Sequence, residues 1–133
     1  MKAVDQTVLA GDLGPVKGDC FRACVASVLE LPIEEVPHFV QESEDWYEMF
    51  TEWLSKREMF AIEVKVSEPP ASVVLPPDVP CIVSAHGPRG CMHSVVGRYD
   101  GGEGIELDHD PHPSRGFFGG NDAEWVMLIG RRL

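Results

Sequence analysis

The stretch Lys17–Pro32, KGDCFRACVASVLELP, decides how the chain is read. A Gly-Asp pair leads into a run that is apolar almost all round, and Pro32 closes it. This pattern predicts a buried helix from about Cys20 to Leu31, with Asp19 as its N-cap. Cys20 then occupies the first helical position. There the unpaired backbone N–H groups and the helix dipole favour a thiolate, the nucleophilic form of cysteine. Cys24 lies one turn deeper and reads as a small core side chain.

Working outward, GDLGPVKGD (11–19) reads as a loop and VDQTVLA (4–10) as a short extended segment. PIEEVPHF (32–39) reads as a helical turn disrupted by Pro37. SEDWYEMFTEWLSKREMF (43–60) is the clearest amphipathic helix, capped by Ser43, with Glu44 and Asp45 in its first turn. Trp46, Met49, Phe50, Trp53 and Leu54 recur at helical spacing and should face the core. The second half is different. AIEVKV (61–66) alternates as a strand does, and EPPASVVLPPDVP (68–80) is a Pro-rich connector. CIVSA (81–85), MHSVVGRY (92–99), GIELDHD (104–110) and EWVMLIGRR (124–132) read as four further strands. Helices followed by an antiparallel sheet give an α+β class in a single domain over residues 1–133, with no internal repeat.

Composition narrows the function. The 133 residues are 44% hydrophobic, enough for one core. Lys and Arg number 11 against 22 Asp and Glu, a formal charge of -11, so a general grip on nucleic acid is not expected. The acidity suits a basic protein partner. No run reaches the roughly 18 apolar residues of a membrane span. MKAVDQTVLAGDLGP does not read as a signal peptide, so a cytoplasmic protein is expected. Its four cysteines, Cys20, Cys24, Cys81 and Cys91, are then expected as thiols. A Cys20–Cys24 bridge along one helix would be strained, and a hairpin turn near HGPRG (86–90) sets Cys91 opposite a residue near Ala85 rather than opposite Cys81.

His93 opens an apolar strand on the face of Cys91 and Val95, where an imidazole base can be held rigidly. Asp108 and Asp110 alternate to one face of the next strand, and either can orient that imidazole. Pro111 favours an extended Asp110. The chain thus orders a Cys at a helix start, a His on a strand, and an Asp on the strand after it. This is the nucleophile, base and orienter order of a thiol enzyme. HPSRGFFGGN (112–121) reads as a loop over such a site, with Phe117 and Phe118 either exposed there or tucked into the core.

VDQT (4–7), GDCFRACVASVLELPIEEVPHF (18–39), HSVVGRYDGG (93–102) and HDPHPS (109–114) together resemble the papain-like cysteine peptidase superfamily. Within it, the chain is similar to the compact bacterial and phage branch that includes bacteriocin-leader peptidases. The resemblance implies a papain-like fold, with a central nucleophile helix packed on a C-terminal sheet. It assigns Cys20 as nucleophile, His93 as base and Asp110 as orienter. It also implies an upstream glutamine as oxyanion donor, for which Gln6 is the candidate. The implied activity is hydrolysis or acyl transfer at a peptide, isopeptide or cell-wall amide, with no cofactor. Two other classes compete. One is a catalytically inactive adaptor of the same fold. The other is a metal site drawn from His86, Cys91, His93, His109 and His112.

Overall fold

The computed structural model describes residues 1–9, 17–66, 78–86, 92–99, 104–116 and 123–133. Helix α1 runs Cys20–Leu29 and buries Phe21, Ala23, Cys24, Val25, Ala26 and Ser27. It stops before the expected Leu31, because Glu30 turns left-handed at φ 56°. The Leu31 N–H then reaches back to the Ala26 carbonyl at 2.9 Å, which satisfies one of the helix's orphan acceptors. Pro32 follows, and PIEEVPHF holds only a 3-10 turn at Ile33–Glu35. A one-turn helix that the sequence did not suggest, α2 at Phe39–Glu42, buries Phe39.

Helix α3 spans Trp46–Ser55. Ser43 does not cap it: its hydroxyl accepts the Asp45 N–H at 3.0 Å, ahead of the helix, and Asp45 takes the N-cap position. Phe50 and Leu54 are buried, with Trp46, Met49 and Trp53 packed around them. The Phe50 ring stands edge-on to Phe21 at 5.1 Å and to Phe39 at 5.2 Å, an arrangement that the ring quadrupoles favour. One aromatic side chain from each of α1, α2 and α3 thus meets at a single point.

The expected strands all form: β1 Met59–Lys65, β2 Pro80–His86, β3 Met92–Tyr99, β4 Ile105–His109 and β5 Trp125–Arg131. They build one antiparallel sheet in the order β1-β5-β2-β3-β4. The last strand inserts between β1 and β2. The interior strands carry the apolar runs, and the edge strand β1 carries Glu63 and Lys65, which discourage further pairing. Ile82, Val96 and Met127 on one face join the helical core. Cys81, Val83, Ala85, Val95 and Val126 form a second cluster. β3 and β4 shift register between Val96 and Gly97. A Cβ on Gly97 would lie 2.9 Å from the Glu106 carbonyl and 3.1 Å from Val83 Cγ2, so only glycine permits this approach.

VDQTVLA does not join the sheet as a strand. Its described residues, Val4–Leu9, lie between α1 and the exit of β4: the Val4 N–H donates to Ser27 Oγ at 2.9 Å and the Gln6 N–H to the Pro111 carbonyl at 3.0 Å. No helix among the described residues is long and apolar enough to cross a membrane.

The aromatic junction carries the helical layer. Phe50→Ala should lower unfolding stability by about 3–5 kcal/mol. Urea titration checks this, with the midpoint falling and the slope unchanged.

Candidate active site

α1 packs across β3 and β2. Its C-terminal residues Val28–Glu30 line a hollow with Pro80, at the start of β2, and Arg131, at the end of β5. Cys20 therefore lies toward the opposite end of the sheet, where β2 finishes and β3 begins. His93 is the second residue of β3 and pairs with Ala85. The exit of β4, followed by Asp110, reaches the same end.

Asp110 is fully buried, and His93 is only 4% exposed. The His93 Nε2 meets Asp110 Oδ1 at 2.6 Å. In a neutral ring Nε2–H donates to the carboxylate, which leaves Nδ1 as the basic nitrogen. The same Oδ1 accepts the His112 N–H at 2.9 Å, and the Arg115 guanidinium donates to the Asp110 carbonyl. Asp110 Oδ2 is buried with no partner among the described residues. Asp108 has a different setting. β4 ends at His109, so Asp110 does not continue the strand's alternation, and the two carboxylates do not share a face. Asp108 is exposed and takes Arg98 Nε at 3.3 Å, beside Glu106 and Asp78 on the same guanidinium.

At the head of α1, Asp19 holds the N-cap position but makes no side-chain cap bond. Its fully buried carboxylate turns instead to the N-terminal segment. Oδ1 accepts the Thr7 and Val8 N–H groups, each at 2.8 Å, and Oδ2 accepts the Thr7 hydroxyl at 2.7 Å. Arg22 approaches Oδ2 at 3.4 Å from the next turn. These bonds satisfy a carboxylate that would otherwise be costly to bury, and they leave α1's first turn uncapped by this side chain. The Asp19 N–H donates to the Val8 carbonyl at 3.1 Å. The Gln6 Nε2 donates to the same oxygen at 2.8 Å. The Gln6 carboxamide is thereby set beside the peptide that leads into Cys20. That bond also fixes which end of the amide is nitrogen, because a flip would point oxygen at oxygen.

The two cysteines of α1 separate as the sequence suggests. Cys20 is half-buried and Cys24 is inaccessible, both as thiols. Burial pushes the Cys24 thiol well up, and the nearby Cys20 and Asp110 push it further. Cys81 is also a buried thiol, opposite Gly97. Burial, with some help from Asp108, pushes it up to about 12 against a bond from the Gly97 backbone. Cys91 lies outside the described residues.

The histidines considered as metal ligands have separate partners. His86 Nδ1 meets Glu124 at 2.8 Å, His109 Nε2 meets the Val4 carbonyl at 3.1 Å, and His112 Nδ1 meets Ser114 Oγ at 2.7 Å. Among the described residues no three His, Cys, Asp or Glu side chains converge as a ligand set. Of the expected loop HPSRGFFGGN, the part from Phe117 to Asn121, with Phe118, lies outside the described residues. Its described part supplies Arg115, which clamps Asp5 through its two terminal guanidinium nitrogens at 2.6 and 2.9 Å. That pairing holds the Asp5 carboxyl below its ordinary range. Neither this clamp nor the Asp19 anchor was foreseen, since nothing in the local pattern around Asp5 or Asp19 names a partner so far along the chain. No protein-family model matches the chain, and no curated protein matches it.

The raised Cys81 thiol sets an alkaline limit on stability. The native state keeps a proton that the unfolded chain, with an ordinary thiol near 9.0, gives up. This contribution is whole below pH 9.0 and is lost as pH rises toward about 12. Urea midpoints across that range should fall with pH, and Cys81→Ala should fall less steeply than wild type.

Proposed function

We propose that the chain is a papain-like cysteine hydrolase or acyl transferase that acts on an amide bond, of the kind found in bacteriocin-leader peptidases. The observation that supports it best is the buried His93–Asp110 bond at 2.6 Å, at the end of the sheet toward which α1 presents Cys20. Asp110 fixes the tautomer and steadies the charged ring. His93 Nδ1 takes the Cys20 proton, and the thiolate attacks the substrate carbonyl. The tetrahedral oxyanion is received by the Cys20 backbone N–H and the remaining N–H of Gln6 Nε2. The imidazolium then protonates the leaving amine, and the thioester is resolved by water or by a second amine. Peptide, isopeptide and cell-wall amides all meet these requirements. A formal charge of -11 favours substrates or partners with basic flanks.

Thiol reactivity tests the reading without a known substrate. In a Cys91→Ser background, Cys24 and Cys81 are shielded, so iodoacetamide reports on Cys20. Cys20 should react faster than glutathione below pH 7, and His93→Ala should return it to the profile of an ordinary thiol. Against a cleaved peptide, Cys20→Ala should abolish turnover and His93→Ala should lower kcat/KM by about 10²- to 10⁴-fold. If Cys20 behaves as a model thiol and His93→Ala changes nothing, the chain is a binding module of this fold and not an enzyme.

A further inference from the structure

We infer that Asp19 is a positioning residue that acts through Gln6, setting the oxyanion donor relative to the nucleophile. The inference rests on the acyl-transfer reading above. The carboxylate is fully buried, takes its shortest bonds from Thr7 and Val8, and makes no cap bond to the backbone of the helix that it precedes. Val8 is the residue whose carbonyl holds both the Gln6 carboxamide and the Asp19 N–H. Asp19 and Val8 are therefore joined in both directions. The side chain of Asp19 grips the Val8 N–H, and the backbone of Asp19 grips the Val8 carbonyl. Gln6 is tied to that joint by its side chain and to Pro111, the residue after Asp110, by its backbone. One short segment is thus pinned to the peptide before the nucleophile and to the peptide after the orienting carboxylate. A shift of a donor by about 1 Å is enough to cost a transition state its stabilisation.

A structural anchor and a positioning residue differ in what they change. Two probes separate them in the Cys91→Ser protein. With p-nitrophenyl acetate, the Cys20 thiolate attacks the ester carbonyl. The carbon–oxygen bond then breaks, nitrophenolate leaves with the electron pair, and a thioester remains. This path passes through an oxyanion. Iodoacetamide alkylates the same sulfur by displacing iodide and develops none.

Asp19→Ala should slow acylation by about ten- to hundredfold while alkylation stays within about twofold. Asp19→Asn keeps an oxygen for the Thr7 and Val8 N–H groups and should recover most of the loss. Gln6→Ala should match Asp19→Ala, and the double variant should be no worse than either alone. If Asp19→Ala does not fold, Thr7→Val removes only the hydroxyl bond and should lower the acylation-to-alkylation ratio about threefold. The inference is overturned if both rates fall together, if the ratio stays that of wild type, or if the Asp19 and Gln6 effects multiply. A wild-type Cys20 that alkylates no faster than glutathione, with or without His93, removes the acyl-transfer reading and this inference with it. A fast, His93-dependent Cys20 with an unchanged ratio removes the role of Asp19 alone.

Discussion

The buried carboxylate of Asp19 is the constraint on which the arrangement around α1 depends. A carboxylate removed from water must be met by donors, and three of them come from Thr7 and Val8. Arg22 supplies the compensating charge and reaches on to the Val36 carbonyl. The N-terminal segment, the first turn of α1 and the turn after it are therefore fixed by one polar cluster. Burial of the apolar face of α1 holds the helix on the sheet, but a hydrophobic contact is not directional. The Asp19 cluster is directional. It sets where the first turn of α1 stands relative to the segment beside it, and hence where Cys20 is presented.

A second buried carboxylate works differently. Asp110 is as inaccessible as Asp19, yet one of its oxygens has no partner among the described residues. Its other oxygen serves both His93 and the His112 N–H. An unmet acceptor in the interior costs on the order of 1–3 kcal/mol. The deficit falls on the carboxylate that holds the His93 ring.

Much of this architecture was legible in the sequence, because its signals are local. The alternation of β1, the apolar runs of the interior strands and the helical spacing of Trp46, Met49, Phe50, Trp53 and Leu54 all depend on neighbours a few positions away. The errors also have local causes. Glu30 ends α1 early by adopting a left-handed conformation that a Glu does not advertise. Ser43 bonds the Asp45 N–H rather than capping α3, because a hydroxyl can serve a turn as well as a helix. Asp108 and Asp110 looked equivalent by alternation. They diverge because β4 ends between them and Arg98 draws Asp108 outward. The insertion of β5 between β1 and β2 and the grip of Asp19 on Thr7 are long-range pairings, to which no period in the sequence corresponds.

Cys20 and Cys24 show how one helix assigns different chemistry to identical side chains. They sit a turn apart on the same face. Cys24 is enclosed by the core, where the thiolate is penalised first by loss of water, then by the neighbouring Cys20, and least by Asp110. That same carboxylate is bonded to His93 at the end of the sheet. Cys20 is half-buried at the helix terminus and keeps access to water that Cys24 lacks. The first turn of α1 is where a thiol on this helix meets both water and the unpaired backbone N–H groups, and moving the thiol one turn inward encloses it in the core.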